Sequence, residues 1–167
     1  MINCQTYPLG DDGSIPNNPE LPLLVYADAL SDEQLNAEVC KKLLKSHSWG
    51  NAWINGIFSY HHYHSTTHEV LAVISGSAEV MMGGKQGERL SISQGDVIII
   101  PAGVGHCLLN SSPGFRVVGA YPGGKNYDLC TGRLDERPQV LENIRNVDLP
   151  EKDPVTGNKE PLLDYWQ

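Results

Sequence analysis

Over residues 53–121 the chain is a succession of short β-prone runs, at 54–63, 69–74, 78–82, 89–92, 97–100, 107–109 and 115–121, separated by turn-forming residues. Runs this short, at this spacing, are the pattern of a β-sandwich or barrel and leave no room for a helical bundle. The 17 glycines and 11 prolines, with charged residues at only 19%, agree with a turn-rich globular fold. Gly76-Ser77 reads as a two-residue hairpin loop, and Pro101 with Gly103 as the second and fourth positions of a type I turn. Val97-Ile98-Ile99-Ile100 is apolar on both faces, so an N-terminal arm, a helix or a second subunit must cover its outer side. A homodimer is the expectation drawn from that run.

The flanks differ from this central region. Before it, turn formers such as Pro16-Asn17-Asn18-Pro19 lead to the apolar stretch 21–26, which Pro22 should confine to an edge strand or an extended arm. Ser31 and Gln34 form a capping box, with Leu30 and Leu35 placed for a hydrophobic staple, so a helix should begin at Asp32. Leu35, Val39, Leu43 and Leu44 supply its apolar face, and Trp49-Gly50 stops it. Beyond Tyr121 the chain is irregular, with Pro138, Pro150, Pro154 and Pro161 barring long helices, and its last apolar group, Leu162, Leu163, Tyr165 and Trp166, should dock back. The length of 167 residues fits one domain with a real core. The expected plan is a mostly β domain over 1–167: an arm and one short α-helix at 1–50, a barrel core at 51–123, and a returning segment at 124–167.

Twelve basic against twenty acidic residues give a net charge of −8 without a basic cluster, which argues against nucleic-acid and anionic-membrane partners. Cys4, Cys40, Cys107 and Cys130 are widely spaced, with no Cys-x-x-Cys pair to suggest a zinc ribbon or redox dithiol. No stretch approaches a membrane span and the N-terminus lacks the character of a leader, so the expectation is a cytoplasmic protein with reduced thiols.

Five of the six histidines, His61, His62, His64, His68 and His106, fall in the β region. On an extended segment His62 and His64 point the same way and can share one ion, whereas His61 points with Tyr63. Glu69 shares a face with Leu71 and Val73, so its carboxylate can reach the same interior; His68 alternates away. His106 follows the Pro101 turn and shares a face with Leu108 and Asn110. By this parity Tyr60, Asn110 and Tyr121 are candidates to line a pocket, while His61 and His68 are surface groups or supports behind the ligands.

Gly56, His62, His64, Glu69 and Gly76, followed by Gly95, Pro101, Gly103, His106 and Asn110, resemble the two sequence motifs of the cupin superfamily at every specified position. More loosely, Ile15-Pro16-Asn17-Asn18-Pro19, Trp49-Gly50-Asn51-Ala52-Trp53, Val118-Gly119-Ala120-Tyr121-Pro122 and the terminal 162–166 look like the bacterial YjlB-like cupins, a group without an established activity. The resemblance implies a jelly-roll β-barrel and a divalent transition metal held by His62, His64, Glu69 and His106. Three imidazoles and a carboxylate suit Fe, Mn, Ni, Zn or Cu. A six-coordinate ion would keep two positions open for water, substrate or dioxygen. Such a site fits a small metalloenzyme of dioxygenase, isomerase or decarboxylase type acting on a small oxygen-rich metabolite; a metal-dependent binding or sensing module and a purely structural metal remain alternatives.

Overall fold

In the central strands of the larger sheet, successive residues point into opposite cores. The computed structural model describes residues 1–167 and contains nine strands: β1 (Asn3–Tyr7), β2 (Leu23–Ala27), β3 (Trp49–Asn55), β4 (Glu69–Ser75), β5 (Ser77–Met82), β6 (Glu88–Ser93), β7 (Val97–Ile100), β8 (His106–Ser111) and β9 (Arg116–Pro122). They form a six-stranded sheet in the order β1-β2-β7-β4-β9-β3 and a three-stranded sheet in the order β6-β5-β8, with every pairing antiparallel. The two sheets close on each other as a jelly roll. Leu71, Val73, Ile98, Ile100 and Val117 of the large sheet meet Ala78, Val80, Met82 and Ile92 of the small one in the interior. Their sequence neighbours Val70, Ala72, Ile74, Val97, Ile99 and Val118 point the other way, into a second core on the outer face of the large sheet.

That second core is roofed by the flanks. Helix α1 (Ala37–Ser46) contributes Cys40 and Leu44, and the last residues contribute Leu162 and Trp166. Both faces of β7 are therefore covered from within the chain, and the open face that suggested a second subunit is absent. Asp153, fully buried, ties the returning segment down by accepting hydrogen bonds from the Tyr26 hydroxyl at 2.6 Å and from the backbone N–H groups of Val155, Thr156 and Leu162. Trp166 donates its indole N–H to the Pro22 carbonyl at 2.9 Å.

Several local expectations change. The capping box of Ser31 and Gln34 is present, but it starts a 3-10 turn, Asp32–Leu35; the α-helix proper begins after Asn36, whose side chain accepts from the Glu38 and Val39 N–H groups. Its buried face centres on Cys40 and Leu44, leaving Val39 exposed. Two further short helices form: α2 (Gln139–Arg145), between Pro138 and Pro150, and α3 (Leu162–Tyr165), directly after Pro161. The stretch 21–26 is no edge: Pro22 lies just before β2, where its missing N–H costs nothing, and β2 sits between β1 and β7. Gly76 turns a corner between the two sheets and makes no hairpin, since β4 and β5 belong to different sheets. The turn after β7 closes one residue later than expected, from the Val104 N–H to the Pro101 carbonyl, with Gly103 at φ 92 as its third residue. That left-handed conformation favours glycine, and a Cβ there would strike the Asn17 carbonyl. All four cysteines are free, and no helix is long and apolar enough to cross a membrane.

Trp166 is 0% exposed and forms part of the outer core. Trp166→Ala should destabilise the protein by about 3–5 kcal/mol, the usual cost of truncating a buried Trp. Urea denaturation checks this; an unchanged midpoint would mean that the terminal segment is not part of the cooperative fold.

Candidate metal centre

Glu69 opens β4 on the inward parity, with Leu71 and Val73 beyond it, and is only 2% exposed. His106 opens β8. β3 ends at Asn55, so the run expected at 54–63 is mostly loop, yet His62 and His64 still lie in extended chain. His62 exchanges backbone hydrogen bonds with His106 at 3.2 and 2.9 Å, and Tyr63 does so with Cys130 at 2.9 Å in each direction. Those two bridges restore the alternation: Tyr63 turns to a small core with Ile15, Cys130 and Val140, while His62 and His64 turn to the pocket.

The donor atoms of His64, Glu69 and His106 all lie within 4.8 Å of one another. Glu69 Oε1 is 3.5 Å from His64 Nε2 and 3.3 Å from His106 Nε2. Each imidazole is oriented through its other nitrogen: Nδ1 of His64 faces the Asp128 carbonyl at 2.5 Å, Nδ1 of His106 the Val104 carbonyl at 3.2 Å, and Nδ1 of His62 the Tyr60 carbonyl at 2.9 Å. Since a carbonyl can only accept, Nδ1 carries the hydrogen, and a neutral ring then presents a bare lone pair at Nε2. The two carboxylate oxygens of Glu69 are buried and have no hydrogen-bond donor. With the rings neutral, three groups turn their lone pairs on one point, a site for a cation, either a shared proton or the transition metal whose chemistry this donor set suits.

The electrostatics agree. Burial raises the cost of charge on Glu69, but the adjoining His106 and His64 imidazoles outweigh it and hold the carboxyl well below its ordinary range. For His64 burial opposes protonation, but Glu69 and the Asp128 carbonyl prevail and raise it. His62, by contrast, is pushed down to about 3 by burial and by His106, so it stays neutral and able to donate a lone pair. Its ring centroid is 4.0 Å from that of His106 and it lines the same pocket, although its nitrogens fall outside the tight group of three.

The pocket above this cluster has a volume of about 300 Å³ and is lined chiefly by Trp53, Ile57, Phe58, Leu71, Tyr121 and Tyr127 around the polar centre. Tyr121 accepts a hydrogen bond from the Trp53 indole at 2.8 Å, and burial together with nearby Glu69 pushes its phenol up, so it keeps its proton. Gly119, opposite Trp53 on β9, makes room for that indole, which a Cβ would overlap. Tyr60 is outside the lining; it stacks on Phe58 at 5.0 Å and acts through its carbonyl.

His68 faces the outer core beside Trp166, where it accepts from the Ala102 N–H at 2.9 Å and so steadies the loop leading to His106. Burial lowers its pKa to about 4. Asn110 leaves the inward face for a physical reason. Val80 pairs with Leu108 but Glu79 pairs with Asn110, so Leu109 is an extra residue that reverses the alternation and turns Asn110 to the outer surface with Glu79 and Ser91.

Two functional contributors have no periodic signal in the sequence. Tyr127 stacks on Tyr121 at 4.8 Å and touches the His64 ring at 4.9 Å. Asp128 holds His64 by its carbonyl and anchors itself by its carboxylate, which accepts from the Ser65 N–H at 2.7 Å, the Ser65 hydroxyl at 2.5 Å and the Cys130 thiol. On the N-terminal side Asn17 donates to the Gly10 and Gly83 carbonyls and accepts from the Gly105 N–H, pinning the residue before His106.

Asp128→Ala keeps the carbonyl that faces His64 but removes the carboxylate that anchors it to Ser65, so metal binding should weaken by up to about tenfold, the low end of the effect of losing a ligand's orienting partner. Asp128→Asn, which keeps one acceptor oxygen for Ser65, should recover part of it, as read by cobalt(II) titration and its visible spectrum. Metal competes with protons for the imidazoles, and a raised His64 pKa makes that competition begin above the ordinary value of 6.5. Affinity should therefore fall steadily from pH 8 to about 6. A flat profile over that range would contradict histidine ligation.

Comparison with known proteins places this geometry. The model of the cupin domain matches residues 55–118, the region that carries all the candidate ligands. The uncharacterised protein YjlB of Bacillus subtilis is 48% identical over 162 residues, covering 97% of this chain and 96% of that protein. Among solved structures, a TDP-quinovose 3,4-ketoisomerase from Campylobacter jejuni is 20% identical, covering 57% of this chain and 75% of its own, with a TM-score of 0.42. An uncharacterised double-stranded β-helix protein from Klebsiella pneumoniae is 16% identical, covering 78% and 84%, with a TM-score of 0.38. With a cupin domain at its centre and identity to YjlB along nearly the whole of both chains, the protein belongs to the YjlB family of cupins.

Proposed function

We propose that the protein is a metal-dependent cupin enzyme in which His62, His64, Glu69 and His106 hold one divalent transition ion and act on a small oxygen-rich metabolite. The observation that supports this reading is the buried Glu69 carboxylate, without a hydrogen-bond donor and faced by the Nε2 atoms of two imidazoles whose Nδ1 atoms are already engaged. His62, neutral and oriented by the Tyr60 carbonyl, is the fourth donor. Fe, Mn, Ni, Zn and Cu all suit this set.

When bound, the ion supplies a Lewis acid that polarises a carbonyl, carboxylate or enolate oxygen, chemistry that serves a dioxygenase, an isomerase or a decarboxylase. The chain supplies the rest. Trp53, Ile57 and Leu71 keep bulk water from the centre, which strengthens every charge interaction inside. Tyr121, which retains its proton and is held by Trp53, donates from its hydroxyl to an oxygen of the bound molecule. Tyr121 and Tyr127 are the only titratable lining groups beyond the four ligands. That scarcity of proton carriers favours a second reading, a metal-dependent binding or sensing module, over enzymes that need a separate base.

Elemental analysis of protein purified without chelator, and again after reconstitution, should find one transition ion per chain. Glu69→Gln, His106→Ala and His62→Ala should each lower its affinity by at least about tenfold while circular dichroism stays unchanged. Wild-type protein that takes up no ion under either condition would refute the reading; saturable binding of a metabolite without turnover would select the sensing alternative.

A further inference from the structure

The mouth of the pocket is built in a way that the metal does not require. Phe58 is 51% exposed and Tyr127 47% exposed, although both line the site. Neither is core. Each belongs to a stacked pair, Phe58 with Tyr60 at 5.0 Å and 13°, Tyr127 with Tyr121 at 4.8 Å and 23°. Phe58 stands against the His62 ring at 5.1 Å and Tyr127 against the His64 ring at 4.9 Å, so the two pairs flank the centre through different imidazoles. Scattered apolar side chains on a surface mean little, but two flat pairs bordering one polar centre are a surface suited to a flat apolar group.

Charge and hydrogen bonding restrict the ligand further. No Lys or Arg lines the pocket, and apart from the histidines its one ionisable acid or base of ordinary strength is Glu69, committed to the cluster. A phosphate or a second carboxylate would find no cation besides the metal, whereas proteins that select such groups present Arg or Lys forks to them. The remaining polar lining offers neutral donors only: the Asn55 oxygen accepts from the Gly56 N–H and the Tyr121 oxygen from Trp53, which leaves the Asn55 amide N–H groups and the Tyr121 hydroxyl but no cation. A volume of about 300 Å³ lies at the small end of ligand pockets and suits a body of one ring.

We infer that the site selects a molecule with an oxygen-donor chelating head on a single flat, apolar ring, and discriminates against phosphorylated and polycarboxylate ligands. This rests on the metal reading above and specifies the substrate class of the same centre. Phe58 and Tyr127 are the specificity-determining walls, and the head reaches the metal between them.

Hydroxamates give one chelating head on different bodies, which separates the contribution of the walls from that of the metal. Cobalt(II)-loaded protein is titrated with acetohydroxamate, benzohydroxamate and phosphoglycolohydroxamate, followed by the visible cobalt spectrum with metal retention measured alongside. Benzohydroxamate should bind more tightly than acetohydroxamate by at least about tenfold, the scale expected for burying a phenyl face, and phosphoglycolohydroxamate no more tightly than acetohydroxamate. Phe58→Ala and Tyr127→Ala should each shrink the ratio of benzohydroxamate to acetohydroxamate affinity severalfold, a ratio read at equal cobalt loading because each ring also stands against a ligand imidazole. Equal affinities for the two uncharged hydroxamates, or tighter binding of the phosphorylated one, would overturn the inference while leaving the metal centre standing. Protein that takes up no cobalt would sink the metal reading and the inference together.

Discussion

A carboxylate carried into the interior of a barrel has to be met by positive charge, because an uncompensated buried anion costs several kcal/mol or more. Glu69, 2% exposed and without a donor to either oxygen, imposes that demand here. The surrounding chain answers it by turning imidazole Nε2 atoms inward, and it fixes them there by giving each Nδ1 a backbone carbonyl. A metal ion, or in its absence a proton held between His64 and Glu69, satisfies the demand; the raised His64 and lowered Glu69 are two aspects of that one requirement. Burial alone would shift both groups the other way.

Such a centre needs a scaffold that cannot slip. β4 lies between β7 and β9, and both of its faces are packed, one against the small sheet and one under α1 and Trp166. A one-residue shift in its register would carry Glu69 out of the pocket and bring Val70, wholly buried in the outer core, to face the histidines. The two cores thus act as a lock on register, and the roof formed by the flanks contributes to the geometry of a site it never touches. His68 shows the coupling in one residue: its ring lies against Trp166 and its Nδ1 holds the loop before His106.

The jelly roll and the convergence of His62, His64, Glu69 and His106 on one pocket were legible in the sequence because both depend on alternation, and alternation survives wherever the backbone is extended. It survived at His62 and His64 even though their segment is not a regular strand, since bridges to His106 and Cys130 keep it extended. It failed at Asn110, where one inserted residue, Leu109, reverses the faces. Pro22 misled in a similar way, since its effect on pairing depends on whether it lies in the strand or one residue before it. The capping box was read correctly as a helix signal, but a cap specifies only the first turn, and Asn36 re-capped the chain for the α-helix. Tyr127 and Asp128 could not be found from pattern: they lie in an aperiodic segment, and Asp128 acts through a backbone carbonyl that any residue type would possess.

That last point bears on where the individuality of this cupin resides. The region matched by the cupin domain, 55–118, carries all four candidate ligands, yet the group that orients His64 lies at Asp128 and the clamp on Gly105 at Asn17. The barrel alone would bring the histidines and the glutamate together without fixing the His64 ring or closing the pocket with Tyr127. Ser65 is a further link: its N–H and hydroxyl bind the Asp128 carboxylate, while its hydroxyl also accepts from Asn143, so α2 reaches the centre through a residue beside His64. A pocket whose polar floor the barrel supplies can therefore acquire different preferences through changes outside the barrel, in segments that pack against His64 from behind and over the mouth from above. In this chain the mouth is set by Tyr127 and Phe58, where aromatic character and the absence of lining cations decide what can enter the pocket.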